Sequence, residues 1–196
     1  MIIVIILATI ISIIGCSVAV KQDETSNWKT YKNDDYGIEL KYQNESKFEL
    51  RDNPNEFILH LRFIGLDYKL DIFVRKKLGF GPRPGDITEY RELTHSDLEL
   101  KYNDEKKSVS EEMDIIKERE IMIDKTKGKR FVGFKELSAY FSGELPKPIN
   151  VIAIFDFVSF RNGKRLAQFE FIRHSENQLN EEDEVYKNFL HNVRLY

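Results

Sequence analysis

Much of the chain alternates apolar and polar residues with a period of two, which is the pattern of a strand with one buried face. The segment WKTYKNDDYGIELKY places Ile38, Leu40 and Tyr42 on one face, after a polar Asn-Asp-Asp turn. Residues 57–64 and 68–76 alternate in the same way and are separated by the short connection GLD. These patterns predict two antiparallel hairpins in the first half of the chain.

The strands of the second half are more apolar. Residues 149–160, INVIAIFDFVSF, are apolar on both faces, which predicts a central strand that is covered on both sides. They lead into RNGK at 161–164, where the Asn-Gly pair predicts a type I′ hairpin turn. A second hairpin, containing a glycine, is predicted at KTKGK, between the segments EREIMID and RFVGFKEL.

Two helices are predicted, one in the middle of the chain and one near its end. Residues 86–104 begin with a capping-box-like pair of acids and carry a broken apolar stripe, whereas 103–114 are polar and predict a loop. Residues 180–193 begin with acidic side chains, which favour a helix N-terminus. Their apolar stripe, at a spacing of four, consists of Val185, Phe189 and Val193. The chain is therefore expected to form an α+β layered domain, an antiparallel β-sheet flanked by helices.

Composition narrows the class of protein. Residues 1–20 carry no charged side chain, so all 30 Lys and Arg and all 33 Asp and Glu lie in the remainder, with a net charge of −3. A near-neutral surface of mixed charge argues against broad nucleic-acid binding, which depends on a basic footprint. The 14 Phe and 9 Tyr indicate a globular chain rather than a disordered one.

The single cysteine, Cys16, lies towards the end of the apolar N-terminal segment. Its setting, IIGCS, resembles the bacterial lipoprotein signal, in which a small residue precedes the cysteine that becomes the new amino terminus. The resemblance implies cleavage after Gly15, a thioether-linked diacylglycerol on Cys16 and an acylated amino group. On this interpretation 1–15 is a signal peptide and 16–27 is a lipid-anchored tether.

The alternative is a transmembrane anchor. Residues 1–20 are just long enough for it, because about 20 residues in a helix span a bilayer core of about 30 Å. Either interpretation attaches the protein to a cell membrane or an outer membrane, with an extracytoplasmic domain. Ser17 differs from the aspartate associated with inner-membrane retention, so in a cell with two membranes the outer one is favoured.

Seven residues at the start of the domain carry a further resemblance: Trp28, Tyr31, Tyr36, Gly37, Leu40, Lys41 and Tyr42. This segment resembles the opening of the PsbP-like family, in which an aromatic-rich strand meets a Tyr-Gly-containing strand after a polar turn. The late NGK hairpin and the closing segment YKNFLHNVRLY fit the same plan. The resemblance covers 28–196 and implies an α-β-α sandwich around an antiparallel sheet, with a binding or assembly role rather than catalysis.

Charged side chains cluster in two places. The KTKGKR hairpin is a candidate binding site for acidic partners or anionic lipid headgroups, with a merely solvated turn as the alternative. Its side chains are expected to be exposed together: Lys125, Lys127, Lys129 and Arg130. The second cluster is a polar set on the predicted hairpin of 57–76, whose burial the sequence leaves open: His60, Arg62, Lys69, Asp71 and Arg75.

Motifs for catalysis and metal binding do not occur in the sequence. The four histidines are scattered, without metal-ligand spacing, and no serine lies in a Gly-x-Ser-x-Gly elbow. The glycines of GFGPRPG at 79–85 predict a connecting loop, because two prolines remove amides that a phosphate loop needs. No enzymatic activity, metal or cofactor is therefore predicted.

These observations predict a membrane-anchored lipoprotein that acts as a non-catalytic binding or assembly module for an envelope protein or complex, without nucleic acid. The alternative is a carrier of a small or lipidic ligand, held in a pocket between sheet and helix. An enzyme of unrecognised type would require a cleft that holds a carboxylate or histidine with a strongly shifted pKa.

Overall fold

The structure is a computed structural model. It describes residues 28–53, 56–80, 87, 89–139, 147–175 and 183–196. The predicted signal peptide and lipid-anchored tether, with Cys16, lie outside the described residues. Among the helices of the described part, none combines the length and the apolar character needed to cross a membrane.

The described residues form twelve strands and two helices. The strands are β1 (Trp28–Asn33), β2 (Ile38–Gln43), β3 (Lys47–Asn53), β4 (Ile58–Ile64), β5 (Tyr68–Arg75), β6 (Lys77–Phe80), β7 (Glu89–Glu92), β8 (Asp114–Ile123), β9 (Thr126–Ala139), β10 (Lys147–Phe160), β11 (Arg165–Ser175) and β12 (Val193–Leu195). The helices are α1 (Ser96–Ser110) and α2 (Glu184–His191).

Seven strands form one antiparallel sheet in the order β3-β4-β5-β11-β10-β9-β8. Strand β10 lies between β11 and β9, and its side chains are buried on both faces from Val151 to Val158. The central strand predicted for residues 149–160 is therefore confirmed. The first predicted hairpins are confirmed as well, since β1 pairs with β2 and β4 pairs with β5.

A second sheet, β1-β2-β12, and helix α2 pack on one face of the seven-stranded sheet. The side chains between these layers form the main core of the domain. The small sheet and α2 contribute Ile38, Leu40, Tyr186, Phe189 and Val193, and the large sheet contributes Leu61, Ile72, Ile154 and Phe169. Apolar alternation on β2, β4 and β5 accounts for this layer, because each strand turns its apolar side chains towards it.

Helix α1 packs on the opposite face, over β8, β9 and β10. There Tyr102 meets the ring of Phe131 edge-on, and Phe131 stacks on Phe155 with 4.7 Å between ring centroids. Glu118 of β8 accepts hydrogen bonds from Tyr102 (2.8 Å) and from Lys106 (2.7 Å), which fasten the helix to the edge of the sheet. Aromatic pairs of this kind stabilise a fold by about 0.5–1.5 kcal/mol beyond their buried area.

The fold is dominated by antiparallel sheet and differs from the α-β-α sandwich that the resemblance implied. The layer opposite α1 is chiefly the three-stranded sheet, because α2 ends after eight residues and the chain then pairs with β2 as strand β12. Val193, predicted to continue the apolar stripe of the last helix, is the first residue of that strand.

The middle helix begins later than predicted and continues to Ser110, through most of the segment 103–114 that was predicted as a loop. Residues 89–92, predicted to be helical, form strand β7 and pair with β6. The start of α1 is explained by Asp97, whose buried carboxylate accepts hydrogen bonds from the backbone N–H and the hydroxyl of Thr94 (2.7 and 2.9 Å). Hydrogen bonds from Arg91 and Thr94 lower the pKa of Asp97 to about 2, so this carboxylate is ionised.

The turn between β10 and β11 has a positive φ at the predicted Asn-Gly pair. Asn162 and Gly163 have φ of 55° and 84°, as a type I′ turn requires, but Arg161 before them has a positive φ as well (51°). The last paired residues are Phe160 and Arg165, so the loop is longer than a two-residue hairpin. The backbone N–H of Lys164 donates to the carbonyl oxygen of Arg161 at 3.2 Å and closes the turn.

The hairpin at KTKGK turns at Asp124 and Lys125, which both have positive φ (44° and 66°), rather than at its glycine. Gly128 lies within β9, where an added Cβ atom would come 2.3 Å from the carbonyl oxygen of Phe157. The glycine is therefore required by the close approach of β10 and not by the turn.

Strand β8 forms one edge of the seven-stranded sheet. Its register with β9 places Lys117 and Arg119 on the face of the main core, and Glu118 and Glu120 on the face that carries α1. Charged side chains along an edge strand hinder its pairing with strands of other molecules.

A buried ion pair lies within the main core. Arg130 of β9 donates two hydrogen bonds of 2.6 Å to Asp156 of β10, whose side chain is fully buried. The hydroxyl of Tyr186, on α2, donates to the same carboxylate at 2.7 Å. The ion pair thus has a third partner, which joins the sheet to the last helix.

The substitution Phe189→Ala tests the packing of α2. Phe189 is 6% exposed and its ring lies 5.4 Å from that of Phe63, so its removal should lower the free energy of unfolding by about 3–5 kcal/mol. Urea denaturation measures this difference. Leu100→Ala on the exposed side of α1 is the control and should change the value by less than about 0.5 kcal/mol. A loss below about 1 kcal/mol for Phe189→Ala would mean that the last helix is peripheral to the core.

Candidate functional site

The basic hairpin predicted as a binding site does not present its four residues together. Lys125 and Lys127 are exposed, but Lys129 is half-buried and pairs with Glu99 of α1 at 2.7 Å. Arg130 is buried in the ion pair described above. Side chains alternate along β9, so Arg130 faces the main core when Lys129 faces α1. The expectation that all four side chains are exposed is therefore wrong, and two of them remain available to a partner.

The second predicted polar set comes together on the sheet face that carries α1, beside the helix, over strands β3, β4, β5 and β11. Directly opposed residues form one row across these four strands: Glu49, Arg62, Asp71 and Glu170. The adjacent row consists of Arg51, His60, Phe73 and Gln168. These two rows, together with Lys47, Lys69 and Arg75, are called the polar face below.

Asp71 organises the polar face. It is 1% exposed, and its carboxylate lies 2.6 Å from Arg62 Nε, 2.7 Å from His60 Nε2 and 3.0 Å from Lys69 Nζ. Burial acts to raise the pKa of Asp71, but hydrogen bonds from Arg62, His60 and Lys69 together outweigh it and lower the pKa. The ionised carboxylate therefore holds three basic side chains in fixed positions.

An aromatic ring supports the second row. His60 stacks on Phe73, directly opposite on β5, with 4.3 Å between ring centroids and 18° between ring planes. The guanidinium of Arg75 lies 5.4 Å from the same ring and donates a long hydrogen bond to Gln168 Oε1 (3.4 Å). Burial lowers the pKa of Arg75 from its ordinary value.

Glu170 interrupts the alternation of charge in the first row, because it lies opposite another carboxylate, that of Asp71. Burial, reinforced by the carboxylates of Glu105 on α1 and of Asp71, raises the pKa of Glu170 to about 7. Its Oε1 atom accepts a hydrogen bond from the side-chain amide of Gln168 at 2.6 Å. Glu170 therefore changes its charge near neutral pH.

The outer cations of the polar face reach solvent. The side chains of Lys47, Arg51 and Lys69 are 70%, 64% and 39% exposed. Within the polar face, the cationic side chains Lys47, Arg51, Arg62, Lys69 and Arg75 outnumber the carboxylates Glu49, Asp71 and Glu170. Such a surface suits carboxylate or phosphate groups of another molecule.

Sequence reasoning found part of this site. His60, Arg62, Lys69, Asp71 and Arg75 were grouped because they fall on the polar sides of two adjacent strands, and the structure brings them together. The residues of β3 and β11 were missed, because strand order decides which segments flank that hairpin. The sequence of β11 did contain a signal for this site: Gln168 and Glu170, two residues apart in an otherwise apolar segment, fall on the same face of the strand.

Two surface pockets lie outside the polar face, except that Lys47 also lines the larger one. The larger, of about 670 Å³, is called the Trp28 pocket and lies between the β2–β3 turn, the β4–β5 turn and the start of α2; its apolar lining includes Trp28, Ile64, Tyr68 and Val185. The smaller, of about 390 Å³, lies between the β8–β9 hairpin and α2 and is lined by Met122, Asp124, Lys187, Leu190, His191 and Arg194.

Metal coordination has no assembled ligand set in the part of the chain that the structure describes. There, no three His, Cys, Asp or Glu side chains are grouped so that they could hold an ion. His60 and Asp71 are close together, but the carboxylate is occupied by basic side chains. The chemistry of the polar face is therefore that of charge pairing and hydrogen bonding.

No protein-family model matches the sequence, and no curated protein matches it. Among solved structures, the solution structure of cyanobacterial PsbP (CyanoP) from Synechocystis sp. PCC 6803 is similar, with a TM-score of 0.49 and 12% sequence identity. The match covers 87% of this chain and 93% of that chain. This similarity assigns neither an activity nor a partner to this chain.

The substitution Glu170→Gln should remove part of the pH dependence of stability. The pKa of Glu170 is about 7 in the folded domain and about 4.3 in an unfolded chain, so folding favours the protonated form. The contribution of Glu170 to the free energy of unfolding should therefore fall as the pH rises from about 4 to about 7, by at most about 3–4 kcal/mol.

Urea denaturation at pH 5 and pH 8 measures this effect. Between these values the wild-type protein should lose more stability than Glu170→Gln, because only the wild-type side chain must give up a proton in a buried position. The exposed Glu136→Gln variant is the control and should follow the wild type. Equal losses in wild type and Glu170→Gln would show that Glu170 is not protonated at pH 5 in the folded state.

Proposed function

We propose that this chain is a membrane-anchored extracytoplasmic lipoprotein of the PsbP-like type, which acts as a non-catalytic binding or assembly module for an envelope protein or complex. The polar face is the surface that we assign to docking. The observation that carries this assignment is the set of solvent-reaching cations on this face: Lys69 is held by the buried, ionised Asp71, and Lys47 and Arg51 lie beside Glu49. An acidic surface on the partner would complement it.

The dimensions of the polar face favour a macromolecular partner. Four strands at a spacing of about 4.8 Å extend over about 14 Å, and the rows run across all of them. Arg62 and His60 are already fixed by Asp71, so binding would cost little additional side-chain entropy at these positions. Charge complementarity of this kind contributes specificity and a faster association rate.

The membrane attachment in this proposal rests on the sequence. Cys16 follows a small residue at the end of an apolar segment, and residues 17–27 would connect the lipid to the domain. Two acyl chains would hold the protein stably, since each buried methylene group contributes about 0.8 kcal/mol. A partner in the same envelope would then meet the domain at high local concentration.

A binding role accounts for the polar face better than catalysis does. The carboxylate with a pKa near 7, Glu170, owes that pKa to its buried position on the sheet beside two other carboxylates. It lies on a broad sheet face, and the two pockets described above are lined by other residues. Active sites place such a group in a concave pocket that can surround a substrate.

A carrier of a small or lipidic ligand is the second candidate, and the Trp28 pocket is the observation that favours it. Its volume of about 670 Å³ lies within the range of about 300–1,000 Å³ that is usual for small-molecule sites. Its lining combines apolar side chains with Gln43 and Ser46, which could orient a ligand through hydrogen bonds.

Lipid attachment is tested by Cys16→Ser. A serine hydroxyl cannot form the thioether that precedes cleavage of a lipoprotein signal, so the variant should remain unprocessed and should not incorporate a labelled acyl precursor. Metabolic labelling followed by electrophoresis measures both effects. Equal labelling of the variant and the wild type would refute the lipid anchor, and an uncleaved wild-type chain would favour the transmembrane alternative.

Docking through the polar face is tested by a pair of charge reversals. Lys47→Glu with Arg51→Glu changes two of its most exposed cations, and Lys125→Glu with Lys127→Glu makes the same change in net charge at the β8–β9 hairpin. Each double variant should fold, because exposed substitutions usually alter stability by less than about 0.5 kcal/mol.

Affinity capture from detergent-solubilised membranes at low salt, followed by quantitative mass spectrometry, compares the two variants. We expect the β3 variant to lose an envelope partner that the wild type and the hairpin variant retain. The wild-type interaction should also weaken near 1 M salt, where the Debye length is about 3 Å. Loss with the hairpin variant alone would assign docking to Lys125 and Lys127 instead.

A further inference from the structure

The turn between β4 and β5 presents an apolar side chain directly to solvent. Leu66 has a relative exposure of 108%, more than any other large apolar residue among the exposed ones of the described chain. It lies at the tip of a tight turn, where the N–H of Gly65 donates to the carbonyl oxygen of Tyr68 at 3.0 Å. A polar residue would satisfy this turn equally well, so the turn itself does not require an apolar side chain at this position.

Trp28 lies at the same end of the domain. Leu66 and Trp28 both line the Trp28 pocket, and so do Ile64, Tyr68 and Val185. The apolar surface therefore continues from the exposed leucine into the pocket and reaches the only tryptophan of the chain. Tryptophan combines an apolar ring with an N–H donor and is favoured where apolar and aqueous phases meet.

This end of the domain is the one from which the chain leads towards Cys16. Eleven residues separate Cys16 from Trp28, so the two are at most roughly 40 Å apart, whatever path the segment takes. The opposite end of the sheet carries the β8–β9 hairpin. On strand β10, Ile152 is level with the β4–β5 turn, and Val158 pairs with Gly128 near the β8–β9 hairpin. Six residues of strand separate the two positions, so the hairpin lies about 20 Å from the turn along the strand direction.

We propose that the end of the domain formed by Trp28 and the β4–β5 turn rests on the lipid bilayer, with Leu66 inserted among the headgroups and Trp28 at the interface. This inference rests on the proposed membrane attachment upstream of Trp28. It orients the domain, because the β8–β9 hairpin with Lys125 and Lys127 then points away from the bilayer. That hairpin would be available to a protein and not to lipid headgroups.

The charges near the Trp28 pocket indicate that apolar insertion is the main contribution. Lys47 is accompanied by the carboxylates of Glu45 and Asp67, so this end carries no excess of positive charge. Contact with the bilayer should therefore occur on zwitterionic lipid and should resist salt, unlike adsorption driven by basic side chains.

The experiment uses the full-length chain in phosphatidylcholine vesicles. Trp28 is the only tryptophan, so its fluorescence reports on this end of the domain alone. Acyl chains brominated near the headgroup should quench the fluorescence of Trp28. Its emission maximum should also lie at a shorter wavelength than that of the same domain released into buffer by cleavage of the tether. Flotation of the vesicles in a density gradient records membrane attachment separately.

The matched variants are Leu66→Glu and Met122→Glu, which place the same charge at exposed apolar positions at opposite ends of the sheet. Leu66→Glu should still float with the vesicles but should lose the quenching of Trp28, whereas Met122→Glu should keep it, at low salt and near 1 M salt. Denaturation midpoints of both variants should match that of the wild type.

The outcomes separate this proposal from the one on which it rests. A wild-type chain that does not float would refute membrane attachment, and this inference with it. A chain that floats while Trp28 stays unquenched would refute the orientation alone. Quenching that survives in Leu66→Glu would overturn the insertion of Leu66, because the tether would then suffice to bring Trp28 to the bilayer.

Discussion

The ion pair between Arg130 and Asp156 is the interaction on which the layered arrangement depends. Two charges removed from water are costly, and their attraction compensates only when every hydrogen-bonding group is satisfied. Here Tyr186 completes the set, which ties α2 to the centre of the sheet. Burial raises the pKa of Tyr186 well above its ordinary value, so its hydroxyl remains a donor. The position of α2 in turn determines where β12 meets β2, and thus how the small sheet closes the core.

On the face opposite the main core, the seven-stranded sheet has two chemically different regions. Over β9 and β10 the face is aromatic and is covered by α1, whereas over β3, β4, β5 and β11 it is charged and organised by Asp71. The boundary falls between β11 and β10, where Glu170 lies opposite Phe155. A carboxylate at the edge of an aromatic cluster loses hydration, which is the physical origin of its raised pKa. The raised pKa of Glu170 is thus a consequence of its position at this boundary.

Strand patterns predicted much of the fold because alternation is a local property of the sequence. The β4–β5 hairpin, strand β10 and the Asn162–Gly163 turn were all recognisable in this way. What could not be predicted depends on partners that are distant in sequence. The burial of Arg130 requires Asp156 and α2, and the place of Glu170 beside Asp71 requires the order of strands in the sheet. The start of α1 was missed for a different reason: its N-cap residue, His95, makes no side-chain capping hydrogen bond, and Asp97 in the first turn is instead bonded to Thr94 and Arg91.

The edge strand β8 has a consequence for contacts between copies of the domain. Antiparallel pairing of two identical β8 edges would set side chains of the same face against each other, so Lys117 and Arg119 would meet cations while Glu118 and Glu120 would meet carboxylates. An edge that repels its own copy keeps collisions between molecules from leading to strand pairing and fibrils. The charge pattern of β8 would thus keep the domains separate from one another even at high concentration.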